Sequence, residues 1–178
     1  MLTQATDIPI LLMPRMETQT QDEKSAIERD GTTRVMAITD HLAGDHRLIN
    51  VGAKLVSSGG KLLLAHVEDQ YNLERFIAAI DKIAELDSDV AKSAIEAQLL
   101  SESRDFIESS RESIESAENV EIEAIVTVGH LMKDHRKLIE DNDVDLLILH
   151  TKDDDQLAMH GLAYPIAVEL RHLPMLLL

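Results

Sequence analysis

Residues 120–150 read VEIEAIVTVGHLMKDHRKLIEDNDVDLLILH. The stretch opens by alternating acidic and apolar residues, then turns fully apolar through Val128, as a strand does when it enters a covered sheet. Over 130–143, Leu131, Met132, His135, Leu138 and Ile139 recur on one face at helical spacing. VDLLILH, residues 144–150, is a second continuous apolar run and reads as a buried strand. Strand, helix and strand in direct succession predict two parallel strands joined by a right-handed crossover.

The same alternation extends in both directions. RVMAIT (34–39) is a short apolar strand, and Leu48, Ile49, Val51, Gly52, Leu55 and Val56 follow at helical spacing until Gly59-Gly60 stops the helix. KLLLAHVE (61–68) is a buried strand. In 69–119, Leu73, Phe76, Ile77, Ile80, Ile83 and Ala84 mark one helical face. Val90, Ala94, Ile95, Leu99, Phe106, Ile107 and Ile114 mark a second, with a stop and N-cap at Asp87-Ser88-Asp89 between them. GLAYPIAVELRH (161–172) carries a short helix starting near Pro165, and LPMLLL (173–178) is a closing strand. Helices between strands predict a doubly wound α/β domain, with five parallel strands covered on both faces, over 34–178. Residues 1–33 hold a short strand (8–13) and a polar linker, residues 16–33.

The bulk composition narrows the function. A chain of 178 residues suits one domain. It contains no Cys, which excludes thiolate chemistry and fits a reducing, cytoplasmic compartment. With 33 acidic against 17 basic residues, a formal net charge of -16, it has no segregated basic patch for nucleic acid or anionic lipid. No apolar run is long enough to span a membrane. There is no Gly-x-Ser-x-Gly elbow and no phosphate-binding loop of the common types, so the chain does not read as an enzyme.

Several segments, in order and spacing, resemble the universal stress protein family: RVMAITD (34–40), GGKLLLAHVED (59–69), TVGHLMKDHRKLIEDNDVDLLILH (127–150) and LRHLPMLLL (170–178). The resemblance implies a flavodoxin-like three-layer sandwich and a cytoplasmic stress-response or regulatory protein, commonly a homodimer. It also implies a ligand crevice at the strand-order switch point, here between Asp40-His41 and His150-Thr151. Many family members hold ATP there through Gly-x2-Gly-x9-Gly-Ser/Thr. This sequence has His150, Asp153 and Ala163-Tyr164 at those positions, with Gly161 the nearest glycine. Asp153, Asp154 and Asp155 would each oppose a phosphate by about 1 kcal/mol at ~5 Å in water. ATP bound in the family manner is therefore not expected. The alternative is a sensor that holds ATP or AMP through Asp40, Thr151 and Gly161, although Asp40 serves equally as a helix N-cap.

Histidines punctuate the strand ends: His41, His66, His130 and His150, with His160 on the last crossover and Gly129 beside His130. Three readings stand. His66 packs in the sheet while the others are solvated; or the group lines a small-ligand or pH-sensing pocket; or His150, His160, Asp40 and Asp153 hold a divalent metal. The last would allow a metal-dependent hydrolase. Without it, no cofactor is expected. A regulatory protein partner or small ligand fits the first two.

The two ends repeat each other, IPILLM (8–13) against LPMLLL (173–178). A bare apolar edge is an association hazard, so Ile8, Ile10 and Leu12 are expected to pair beside Met175 and Leu177, within the chain or across a dimer. Pro9 and Pro14 suit such an edge strand. A relic of a lost tandem domain, or a disordered tail with a chance match, are the other readings.

Overall fold

The computed structural model describes residues 8–14, 32–39, 46–80, 82, 88–118, 120–151 and 162–178. Its elements run β1 (Ile10–Leu12), β2 (Arg34–Ile38), α1 (His46–Leu55), β3 (Lys61–Asp69), α2 (Gln70–Ile80), α3 (Ser88–Glu118), β4 (Glu121–Gly129), α4 (Leu131–Asp141), β5 (Leu146–Leu149), α5 (Ala163–Glu169) and β6 (Met175–Leu177). They form one sheet of order β1-β6-β5-β2-β3-β4. The five strands from β6 to β4 are parallel, and β1 adds antiparallel outside β6.

The continuous apolar runs are explained by burial on both faces. Val35, Ala37, Leu62, Leu64 and Ile148 pack against Leu48, Ile49 and Ala53 of α1 and Ile107 and Ile114 of α3. The alternate positions Met36, Ile38, Leu63, Leu147 and Leu149 pack against Ile139 of α4 and Ala163 and Ile166 of α5. Each fully buried aliphatic side chain stabilises the fold by roughly 1.5–3 kcal/mol. Strands β2 and β3 wind one way with helices on one face, and β5 and β6 wind the other way with helices on the opposite face. This is the three-layer, flavodoxin-like arrangement that the sequence predicts.

Turn chemistry sets the element ends. Gly59 adopts φ 81° after α1, a left-handed conformation that glycine enters without steric penalty. At the end of α4, Val144 N–H donates to Ile139 O and Asp143 N–H to Glu140 O, the paired bonds of a Schellman motif. Its left-handed residue is Asp143, at φ 47°, and Val144 and Ile139 make the accompanying apolar contact. Two residues on, Asp145 Oδ2 accepts from Thr33 N–H (2.8 Å), Thr33 Oγ1 (3.0 Å) and Arg34 N–H (3.0 Å), tying the start of β2 to the start of β5.

Two expected helical faces need correction. On α2, Leu73 is buried but Phe76 is 65% exposed, and on α3, Val90 is 67% exposed while Ile107 is fully covered. Ala94 is exposed as well. Only the carboxyl half of α3 lies over the sheet, so the apolar stripe of its amino half has no core beneath it. Ile83 and Ala84 lie outside the described residues.

Candidate functional site

Strand order reverses at β2, which pairs with β3 on one side and β5 on the other. Ligands of open α/β sheets sit at this position, outside the strand carboxyl ends. Ile38 lies opposite both Ala65 and Leu149, so Thr39, His66 and His150 stand at one level along the floor of this end.

His66 is buried. Its Nδ1 lies 2.9 Å from Thr39 O, to which Nδ1–H donates, and its Nε2 lies 3.3 Å from Glu68 Oε2. Thr39 N–H donates to Ala65 O, while its buried hydroxyl has no partner. Behind this layer His135 of α4 is 1% exposed. Its Nδ1–H donates to Leu131 O at 2.7 Å and its Nε2 has no partner. Burial, with His66 adding repulsion, lowers its pKa to about 4, so the ring is neutral at pH 7. The described part of the site is thus Thr39 and His66, with Glu68 at its margin; His135 packs under α4, on the sheet face opposite to that of His66 and Val126.

His150 is half-buried. Thr151 is buried, and both its N–H and its Oγ1 donate to Leu178 O at 3.0 Å, which fastens the end of β6. Its hydroxyl proton is therefore committed to the fold. Gly129 and His130 serve a helix terminus: His130 is the N-cap of α4, and its N–H donates to Asp134 Oδ2 at 2.7 Å. A Cβ on Gly129 would overlap that carboxylate oxygen, so the glycine makes room for the cap.

The histidines do not share one level. Val126 lies opposite His66, and His130 follows four residues later, ~13 Å further along the strand direction. Strands β3 and β4 project past β2 and β5, and His130 stands at their far end. Asp40, His41, Asp153, His160 and Gly161 lie outside the described residues, and with them all of the expected metal set but His150. Among the described residues, no group of three or more His, Asp or Glu side chains could hold a metal ion. No described helix is long and apolar enough to cross a membrane.

Two buried polar residues at this end of the sheet, Thr39 and His135, were not among the sequence-derived site residues. His135 was legible as a histidine on the apolar face of its helix; Thr39 carried no signal beyond its place at the end of RVMAIT.

The geometry defines a doubly wound α/β protein whose strand order switches at β2, between β3 and β5. Its fold is that of universal stress proteins. The hypothetical protein MJ0577, the subject of a structure-based assignment of biochemical function, aligns over 83% of this chain and 95% of its own at 17% identity and TM-score 0.62. The hypothetical protein PH0823 aligns over 82% and 94% at 22% identity and TM-score 0.58. A universal stress protein solved in complex with cAMP aligns over 83% and 97% at 13% identity and TM-score 0.52. No protein-family model matches the chain, and no curated protein matches it.

Proposed function

We propose that this chain is a non-catalytic, cytoplasmic regulatory protein of universal-stress type that does not hold ATP through a glycine-rich loop. The observation that carries the reading is the switch point itself. β5 runs out of the sheet into His150 and Thr151, where a phosphate cradle needs glycine, and Thr151 spends its hydroxyl proton on Leu178 O. The aspartates at 153–155 add negative charge to the same crossover.

A second reading, an adenine-nucleotide sensor, is favoured by the structural neighbour solved with cAMP. Native mass spectrometry of the purified protein, followed by thermal shift with ATP, AMP, cAMP and a panel of divalent cations, separates the two. A nucleotide at 100 times its Kd stabilises by about 2.7 kcal/mol and is easily seen. No shift with any nucleotide supports the first reading. A nucleotide shift that disappears in Asp40→Ala establishes the second. A metal shift that disappears in His150→Ala would instead establish a metal centre, and only metal-stimulated hydrolysis of a generic phosphoester would then favour a metal-dependent hydrolase.

A further inference from the structure

The sheet has two edges, and they are built differently. One is β1, three residues long and bracketed by Pro9 and Pro14, which limits what can add to it. The other is β4. It runs nine residues, ~30 Å, in unbroken register with β3 from Glu121 to Gly129, with no bulge to turn its rim aside. It carries no Pro, Lys or Arg. Among the described residues no strand pairs with its outer side. Ile125, Val126, Thr127 and Val128 are half-buried, so a mostly apolar, β-branched row reaches the rim. Soluble proteins blunt such an edge by shortening, charging, bulging or covering it, and a bare one is a template for an added strand.

Charge selects the strand that fits. Lys61 Nζ lies 3.0 Å from Glu123 Oε2 and 3.8 Å from Glu121 Oε1, so one ammonium faces two carboxylates. Over the other face of β4 lies the carboxyl half of α3, where residues 101–118 hold six acidic against two basic side chains. A second copy would bring the same excess of negative charge, and two chains of formal net charge -16 repel. The polar tract 16–33 of the chain itself offers no alternating apolar run. A strand that alternates apolar and basic residues meets both demands of the edge.

We propose that β4 is a strand-addition edge for an extended, basic segment of a partner protein. The apolar residues of that segment continue the row Ile122, Ala124, Val126 and Val128 on the α3 side, and its Lys or Arg residues face Glu121 and Glu123 on the other. Main-chain hydrogen bonds supply the affinity, and the alternating side chains supply the selection. The inference rests on the register and charge of β4, and holds whatever binds at the switch point.

The probe is a fluorescein-labelled synthetic peptide, Lys-Val-Thr-Val-Lys-Val-Thr-Val-Lys, titrated with the full chain at low salt and read by fluorescence anisotropy. It should bind in the micromolar range, and glutamate in place of its lysines should weaken it by about tenfold or more. Methylating the backbone nitrogens of its valines and threonines keeps the charge, removes the donors and should also weaken it by about tenfold or more. Hydrogen exchange on the saturated complex should slow amides within 122–128 and leave those of β1 and β6 unchanged. Glu121→Lys with Glu123→Lys should weaken the peptide by about tenfold or more, while β4 exchange in the free variant matches the parent. No binding up to the solubility limit of the peptide, equal binding of the methylated peptide, or protection confined to other parts of the chain overturns the proposal. So does protection of 122–128 in the free chain that grows with protein concentration alongside a dimer in native mass spectrometry, which would give the edge to a second copy.

Discussion

Lowering the pH from 7 to 5 sets a proton against the burial of His135. The unfolded chain presents an ordinary imidazole near 6.5, while burial holds the folded one at about 4. Over the interval between those values the unfolded state binds the proton and the native state does not. The stability is therefore fully present above pH 6.5 and is lost as the pH falls toward 4. Linkage gives a loss of about 2 kcal/mol between pH 7 and pH 5 from this one residue, and about 3 kcal/mol in full. The perturbation is His135→Leu, which keeps the volume and removes a buried nitrogen without a partner. Such a group costs about 1–3 kcal/mol to bury, so the variant should be as stable as the parent at pH 7, or more so by about 1 kcal/mol. Urea unfolding of both proteins at pH 7, 6 and 5 reads the difference, and each shared carboxylate contribution cancels in the comparison. The parent should lose about 2 kcal/mol more than the variant between pH 7 and pH 5. Parallel losses in the two proteins, or a His135 ring that titrates above pH 6 by NMR, would refute the reasoning.

Three further outcomes are expected. Asp145→Ala removes the acceptor shared by Thr33 and Arg34 and should cost about 2–4 kcal/mol in chemical denaturation; a loss below about 1 kcal/mol would deny the clamp its role. Gly129→Ala should displace Asp134 from the His130 cap and cost about 1 kcal/mol, and the same change made on Asp134→Ala should be nearly neutral. A double-mutant cycle measured by thermal unfolding reads this coupling, and strict additivity contradicts it. Ile107→Ala should cost about 2–5 kcal/mol, while Val90→Ala on the same helix should stay within about 0.5 kcal/mol; similar losses at both would mean that the amino half of α3 is covered after all.

Which features could be read from the residues follows from what each depends on. The central parallel strands were legible because burial on both faces demands an unbroken apolar run, and β2, β3 and β5 each carry one, whereas the edge strand β4 alternates at its start and is mostly half-buried. The edge strand β1 was legible by a different route, its likeness to β6. The helical faces were legible in period but not in extent. The stripe through Phe76 and Val90 repeats as a buried face does, but whether sheet lies beneath depends on how far a helix overshoots it. The site was legible only in part for a related reason. Strand ends can be found from sequence, but their relative heights come from register, and register places His130 well beyond His66. Asp145 belongs to a third kind: its bonds go to backbone groups more than a hundred residues away, and no local pattern announces them.

Pairing β1 with β6 also sets the distant ends of the sequence side by side. Antiparallel register continued one step places Pro9 opposite Leu178, the geometry of two arms awaiting a tight turn. A short loop from Leu178 to Pro9 would convert this contact, among the least local in the chain, into a hairpin. New ends could then be opened within the polar tract 16–30. Circular permutation of this kind would leave every strand in place while changing the order in which they are synthesised. β6, the loop and β1 would still come last in synthesis, but a contact that now spans nearly the whole sequence would become a local one.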